Sequence, residues 1–193
     1  MKPVKGTKTE VNILTAFSGE SQARNRYNIF ASKAEEDGFI FVRDIFNETA
    51  QQEAHHAKRL FSMLEGGLVE IHGSFPAGVV ADTRTNLIEA AAGEHEEWSD
   101  MYPTFAKIAE EEGFKAIAAI MRNIAISEKY HEQRYLDLAK MIEDGTMFHN
   151  PTTTVWRCLH CGCLVSGNDA PKACPACGKP TAWFVRENIQ FPG

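Results

Sequence analysis

The sequence predicts a mainly α-helical fold: a four-helix bundle with one long crossover, followed by a small metal-bound β/loop domain. Three observations lead there. Up to about residue 145 the chain reads as long amphipathic segments broken at Gly38, Gly66-Gly67 and Gly113. The same stretch holds one helical hairpin twice, AEEDGF (34–39) returning 75 residues later as AEEEGF (109–114). Beyond Asp144 the composition turns to Cys, Pro and Gly, and two C-x-x-C pairs appear.

The breaks predict helices near 8–37, 39–65, 82–112 and 114–144. One-glycine breaks at Gly38 and Gly113 join antiparallel neighbours, and GGLVEIHGSFPAG (66–78) is long enough to cross the bundle. Each helix carries an inward seam at steps of three and four. The first runs Ile13, Ala16, Glu20, Ala23, Tyr27, Phe30, Ala34. The second runs Phe39, Val42, Phe46, Thr49, Glu53, His56, Leu60, Met63. The third runs Leu87, Ala90, Glu94, Glu97, Met101, Thr104, Ile108, and the fourth Ile117, Met121, Ile124, Glu128, His131, Tyr135, Leu138.

The seams place ionisable groups where apolar ones belong. Packing the four together brings Glu20, Glu53, Glu94, Glu97 and Glu128 towards one point with His56 and His131. Even one unpaired buried charge costs several kcal/mol, so the cluster calls for cations. Carboxylate oxygen with a minority of imidazole suits iron or manganese, and this many oxygens suit a pair of ions. One Glu from each of two helices plus E-x-x-H from each of the other two is the ligand set of ferritin-like dinuclear sites. A lone E-x-x-H is usually a solvated ion pair. Two copies in register on inward seams are not.

The repeat also carries Tyr27 onto Tyr102 and Arg59 onto Arg134, and Gly19-Glu20 matches Gly93-Glu94 at a shift of 74. Tyr27 and Tyr102 suit either a plain aromatic core or hydrogen bonding to the glutamates. One residue has been added between Glu94 and Tyr102. At about 100° per residue it would turn all that follows off the seam, so a π-type turn between about Gly93 and Tyr102 is expected, with no counterpart in the first helix. Pro103 fits it, since its missing N–H frees a carbonyl one turn back. His55 and Glu96 fall off the seams, and His72, His95 and His149 have no pattern; all five read as structural or exposed.

GTMFHNPTTT reads as a linker, dividing the chain into domains at 1–146 and 153–193. In the second, Cys158, Cys161, Cys174 and Cys177 form two C-x-x-C-G knuckles twelve residues apart. A module of about 40 residues buries too little surface to fold alone, so the metal holds it together. Four thiolates take zinc or a single iron, and attachment to a redox site favours iron. Cys163 stands outside the pairing.

A net charge of −6 offers no basic surface for nucleic acid, and no apolar run reaches membrane-spanning length. MKPVKGTKTE lacks the apolar core of an export signal, so a cytoplasmic protein is expected.

With both motif sets in place, the chain resembles the rubrerythrins over nearly its whole length: a ferritin-like four-helix domain, then a rubredoxin-like domain holding one iron on four cysteines. The resemblance implies two non-haem irons in the helical site. Glu53 and Glu128 would bridge them, Glu20 would bind one, and Glu94 with His131 the other. Glu97, whose place in the first helix is taken by Ala23, would hold the first iron when oxidised, and His56 would replace it on reduction. It further implies a peroxidase reducing hydrogen peroxide to water in oxidative-stress defence, fed from NAD(P)H through rubredoxin or a separate reductase. The assembly would be a homodimer or larger, with the useful electron path running between subunits. Ferroxidase or iron handling is the alternative, and a zinc-ribbon interaction protein would leave the glutamates unexplained.

Overall fold

The computed structural model describes residues 2–189 and 191; residues 1, 190, 192 and 193 of the two expected domains lie outside the described part. Helix α1 spans Lys8–Glu36, α2 Ile40–Phe61, α3 Thr83–Glu96, α4 Tyr102–Glu111 and α5 Lys115–Glu143. Between α3 and α4 the helix continues without a break as a π turn, Glu97–Met101, in which Tyr102 N–H donates to Glu97 O. The expected bulge is therefore present, and α1 has no counterpart. The second helix stops four residues earlier than expected, at Phe61, where Ser62 N–H and Met63 N–H close the last turn and Gly66 and Gly67 follow with positive φ.

The repeat also closes the bundle. Asp37, at the end of α1, accepts from Thr83 N–H at 3.0 Å and from Thr83 Oγ1 at 2.7 Å, capping α3. Glu112, at the end of α4, accepts from Thr9 N–H at 2.9 Å and Thr9 Oγ1 at 2.6 Å, capping α1. Each carboxylate thus satisfies N–H groups that have no partner within their own helix.

Two apolar clusters fill the bundle. One contains Tyr27, Phe30, Phe46, Leu87, Tyr135 and Leu138; the other Ile13, Leu60, Tyr102, Phe114, Met121 and Ile124. Glu20 of α1, Glu53 of α2, Glu94 of α3 and Glu128 of α5 fall between them. Past the π turn the buried face is Tyr102, Ala106 and Ala109, and Met101, Thr104 and Ile108 of the expected seam are turned outward. The widened turn shifts the register of everything that follows it.

The small module is a three-stranded antiparallel sheet of order β2-β1-β3, with β1 His149–Cys158, β2 Leu164–Asp169 and β3 Phe184–Arg186. Trp156, Cys158, Ala170, Cys174 and Phe184 form its core. It rests on the end of the bundle where α2 begins: the Phe39 and Phe148 rings stack 6.0 Å apart, and Arg43 lies 5.2 Å from the centre of the Trp183 ring.

Candidate metal centres

The helical cage consists of two overlapping sets of donors. Glu20, Glu53, His56 and Glu128 bring one atom each within 4.8 Å of one another, and so do Glu53, Glu94, Glu128 and His131. His56 Nδ1 lies 3.0 Å from Glu53 Oε2, 3.0 Å from Glu128 Oε1 and 3.6 Å from Glu20 Oε2. His131 Nδ1 lies 3.1 Å from Glu53 Oε1, 2.8 Å from Glu128 Oε2 and 3.5 Å from Glu94 Oε2. Glu53 and Glu128 therefore give one oxygen to each half. Donors about 2.1 Å from a common ion stand about 3.0 Å apart when adjacent, so the spacing suits one ion per half.

The glutamates' outer oxygens are held. Tyr27 OH donates to Glu94 Oε1 and Tyr102 OH to Glu20 Oε1, each tyrosine reaching across to the other copy of the repeat. The inner atoms are not: Glu20 Oε2, Glu53 Oε1, Glu94 Oε2, both oxygens of Glu128 and His131 Nδ1 are buried without a hydrogen bond. So many inward-facing acceptors in one place are what a pair of hard cations satisfies.

Proton affinities in the cage show the same strain. Burial, then Glu53, pushes Glu94 up to about 8. Burial opposes a charged His131, but Glu128, Glu53 and Glu94 outweigh it and hold the imidazole up to about 12. Burial would raise Glu53 too, yet His131 and His56 bring it down to about 2. Glu20 is raised well above the carboxylate range by burial and by Glu128. Protons and cations compete for this cage.

Glu97 stands apart. It opens the π turn, belongs to neither donor set, and lies half-buried with Oε1 3.9 Å from where a Cβ on Gly19 would stand. Burial, then Glu20 and Glu94, raises its pKa well above the usual range. A cavity of about 210 Å³ adjoins it, lined also by Gly19, Arg26, Phe75, Gly93 and Asp100. The π turn is pinned by Trp98, whose ring N–H donates to Glu132 of α5 while Lys129 lies 5.1 Å above the ring. His55, Glu96, His72, His95 and His149 are all exposed, as the seams implied.

In the small module, Cys158, Cys161, Cys174 and Cys177 converge within 4.8 Å. Cys158 Sγ is 3.8 Å from Cys177 Sγ, and Cys161 Sγ 3.6 Å from Cys174 Sγ. A tetrahedron with metal–sulfur bonds of about 2.3 Å has edges of about 3.8 Å, so the four thiols fit one ion. The knuckles are alike: Gly162 N–H donates to Cys158 O and Gly178 N–H to Cys174 O, both at 2.9 Å, and both glycines have φ of 75°. Burial raises the Cys174 thiol, but N–H groups of Cys177 and Ala176 aimed at its sulfur bring it down to about 6.

Sequence reasoning passed over Gln52, which bonds His131 from outside, and Arg134, buried with 2% exposure. Arg134 was visible as a repeat partner of Arg59, but nothing in the pattern said that only one of the two is buried.

Fold and donor sets together define a ferritin-like protein with a dinuclear cage and a rubredoxin-like four-thiolate centre, and the matching family makes the metals iron, two in the cage and one on the four cysteines, with an iron-based redox function. The comparisons agree. A family described as Rubrerythrin matches residues 12–139, and one described as Rubrerythrin, rubredoxin-like domain, matches residues 156–185. Rubrerythrin of Nitratidesulfovibrio vulgaris is 56% identical over 191 residues, covering 99% of this chain and 100% of its own. Rubrerythrin of Porphyromonas gingivalis is 54% identical, covering 95% and 92%. The solved structure of fully reduced, all-ferrous nigerythrin superposes with a TM-score of 0.63 at 28% identity, covering 95% of this chain and 91% of that one. The chain belongs to the rubrerythrin family.

Proposed function

We propose that the chain is a peroxidase that reduces hydrogen peroxide to two waters with two electrons and two protons, in oxidative-stress defence. Glu20, Glu53, His56, Glu94, Glu128 and His131 hold the two irons, and Cys158, Cys161, Cys174 and Cys177 the third. The observation that carries the reading is Glu97: a carboxyl outside both donor sets, beside a small cavity and within the field of the cage. When bound, the two irons supply one electron each to the O–O bond. The chain's residues do the rest. The cavity suits a molecule of a few atoms. Glu97, whose proton affinity is raised by burial and by Glu20 and Glu94, donates to the departing oxygen, and the cavity admits the second proton. In the same reading Glu97 exchanges with His56 as a ligand of the first iron. Tyr27 and Tyr102 hold Glu94 and Glu20 in place while charge changes between them.

The helical domain expected at 1–146 and the module expected at 153–193, whose first strand already begins at His149, act as separate folding units, the second returning electrons one at a time. Its knuckle adjoins Trp183, through Leu159 N–H donating to Trp183 O at 2.7 Å, and Trp183 rests on Arg43. Arg43 and Glu53 are ten residues apart, about 15 Å of helix rise, before any lateral offset is added. Transfer falls steeply with distance, which favours a homodimer in which one subunit's module serves the other's cage. Rubredoxin or an NAD(P)H-dependent reductase is the donor, and the cytoplasm the setting. No helix among the described residues is long and apolar enough to cross a membrane.

The test is anaerobic. The reduced protein is mixed with hydrogen peroxide or with oxygen, and iron oxidation is followed in both. Faster oxidation by peroxide, with one peroxide consumed per di-iron site, supports the peroxidase. Faster oxidation by oxygen, with ferric iron accumulating, would replace it with a ferroxidase.

A further inference from the structure

The repeat relates the two halves of the cage, yet the outer nitrogens of their histidines have different surroundings. His131 Nε2 lies 2.9 Å from Gln52 Oε1. The orientation of that amide is fixed from its other end. Gln52 Nε2 donates to Glu48 Oε1 at 3.2 Å, and Arg134 Nη1 donates to the same oxygen at 2.8 Å. Arg134 Nη2 is tied down by Thr49 Oγ1 at 2.6 Å. A carboxylate only accepts, so Gln52 turns its NH2 to Glu48 and its carbonyl to the imidazole. His131 must then donate from Nε2, which leaves Nδ1 as the lone pair aimed at Glu53, Glu94 and Glu128.

The first half has no such device. At a shift of 75 residues Glu48, Thr49 and Gln52 become Asn123, Ile124 and Ser127, and Arg134 becomes Arg59. Serine ends two atoms short of a glutamine amide, Ile124 offers no acceptor, and Arg59 is exposed. Among the described residues nothing hydrogen-bonds His56 Nε2, and the His56 side chain is 17% exposed against 3% for His131.

We propose that Gln52 is the positioning residue that makes the two halves unequal: by locking His131 as the Nε2–H tautomer it keeps the second-half iron seated, while the first half, without an equivalent, exchanges ligand and iron freely. Glu48 and Arg134 act through Gln52, fixing which way its amide points. The inference rests on the two-iron assignment and is independent of what the irons react with.

The experiment is iron release from the reduced holoprotein to a ferrous chelator, with no peroxide present and the thiolate iron followed separately by its own absorption. The wild type should release di-iron-site metal in two phases of one iron each. Gln52→Leu, similar in size but unable to accept, should speed the slow phase by about tenfold or more, the usual effect of losing such a partner. Gln52→Glu, which still accepts, should restore it. A readout that a general loosening would not move is NMR of the zinc-loaded protein. The slowly exchanging His131 Nε2–H proton should persist in the wild type and Gln52→Glu and vanish in Gln52→Leu. Release in a single phase from the wild type, or an unchanged slow phase in Gln52→Leu, overturns the proposal. Neither outcome bears on whether peroxide or oxygen is the oxidant.

Discussion

The cage and the thiolate site are assembled on opposite plans. The cage takes Glu20, Glu53, Glu94 and Glu128 from positions as far apart as 20 and 128, one per long helix, and each is carried in by an apolar seam that packs on both sides of it. The thiolate site takes its four donors from residues 158–177, on two local turns that each need one left-handed glycine. In the cage the fold comes first and forces unpaired carboxylates together, at a cost the metals then offset. In the module the buried core is five side chains, two of them the thiols of Cys158 and Cys174 themselves, so the metal is what makes the fold. Losing metal should therefore leave the bundle helical and unfold the module.

The sharpest way to break this contrast is Glu128→Ala. It removes one oxygen from each half of the cage. Binding at the di-iron site should be abolished, with the absorption of the four-cysteine iron unchanged and the helical circular dichroism retained. Loss of both iron signals together would show that the two parts do not fold independently. Cys174→Ser is the converse. It should remove the red thiolate absorption, unfold the module, and slow turnover with an external donor by about tenfold or more. The cage, reduced chemically, should still react with peroxide at the wild-type rate. A reduced variant that ignores peroxide would sink the relay.

A smaller effect distinguishes the sites by protons. In the metal-free cage burial and Glu53 push Glu94 up to about 8, and the surrounding carboxylates hold His131 up to about 12. Below pH 8 Glu94 and His131 both hold protons that ferrous iron must displace; above it Glu94 no longer does. Iron affinity of the cage should therefore rise with pH, more steeply below pH 8 than above. Proton release on loading the cage of protein whose four-cysteine site already holds iron, measured in a weakly buffered solution, should be greater at pH 6.5 than at pH 9 by up to one proton per chain. Equal release at the two pH values would mean that Glu94 is not protonated before iron enters.

Much of this was legible in the sequence because repetition carries spatial information. Two E-x-x-H copies in register with Glu20 and Glu94 place six donors, and one inserted residue before Tyr102 places the π turn. The parts that were not legible depend on which way a side chain turns. Glu97 was legible as a candidate, but not that it opens the π turn outside both donor sets and beside a cavity. Gln52 looks like any polar residue on an outer helix face, and its role exists only because Glu48 and Arg134 orient it. Arg134 and Arg59 are repeat equivalents, and only packing decides that one is buried and the other exposed.

The smallest expected effect comes from the tyrosines, and it sharpens the comparison within the cage. Tyr102 belongs to the second copy of the repeat but bonds Glu20, in the first donor set. Tyr27 belongs to the first copy and bonds Glu94, in the second. Each phenol holds the outer oxygen of its glutamate and so aims the inner one at the metal. Removing a hydrogen bond to a buried charged group costs about 1.5 kcal/mol, or roughly tenfold in affinity. Tyr102→Phe should weaken the first-half iron by about that factor and spare the second. Tyr27→Phe should do the reverse, because the repeat crosses over at this layer. Stepwise titration of the apoprotein with ferrous iron reads the two affinities separately. If Tyr102→Phe weakened the second iron instead, the pairing of glutamates with halves would be inverted, and the two donor sets would have to be redrawn around a different sharing of Glu53 and Glu128.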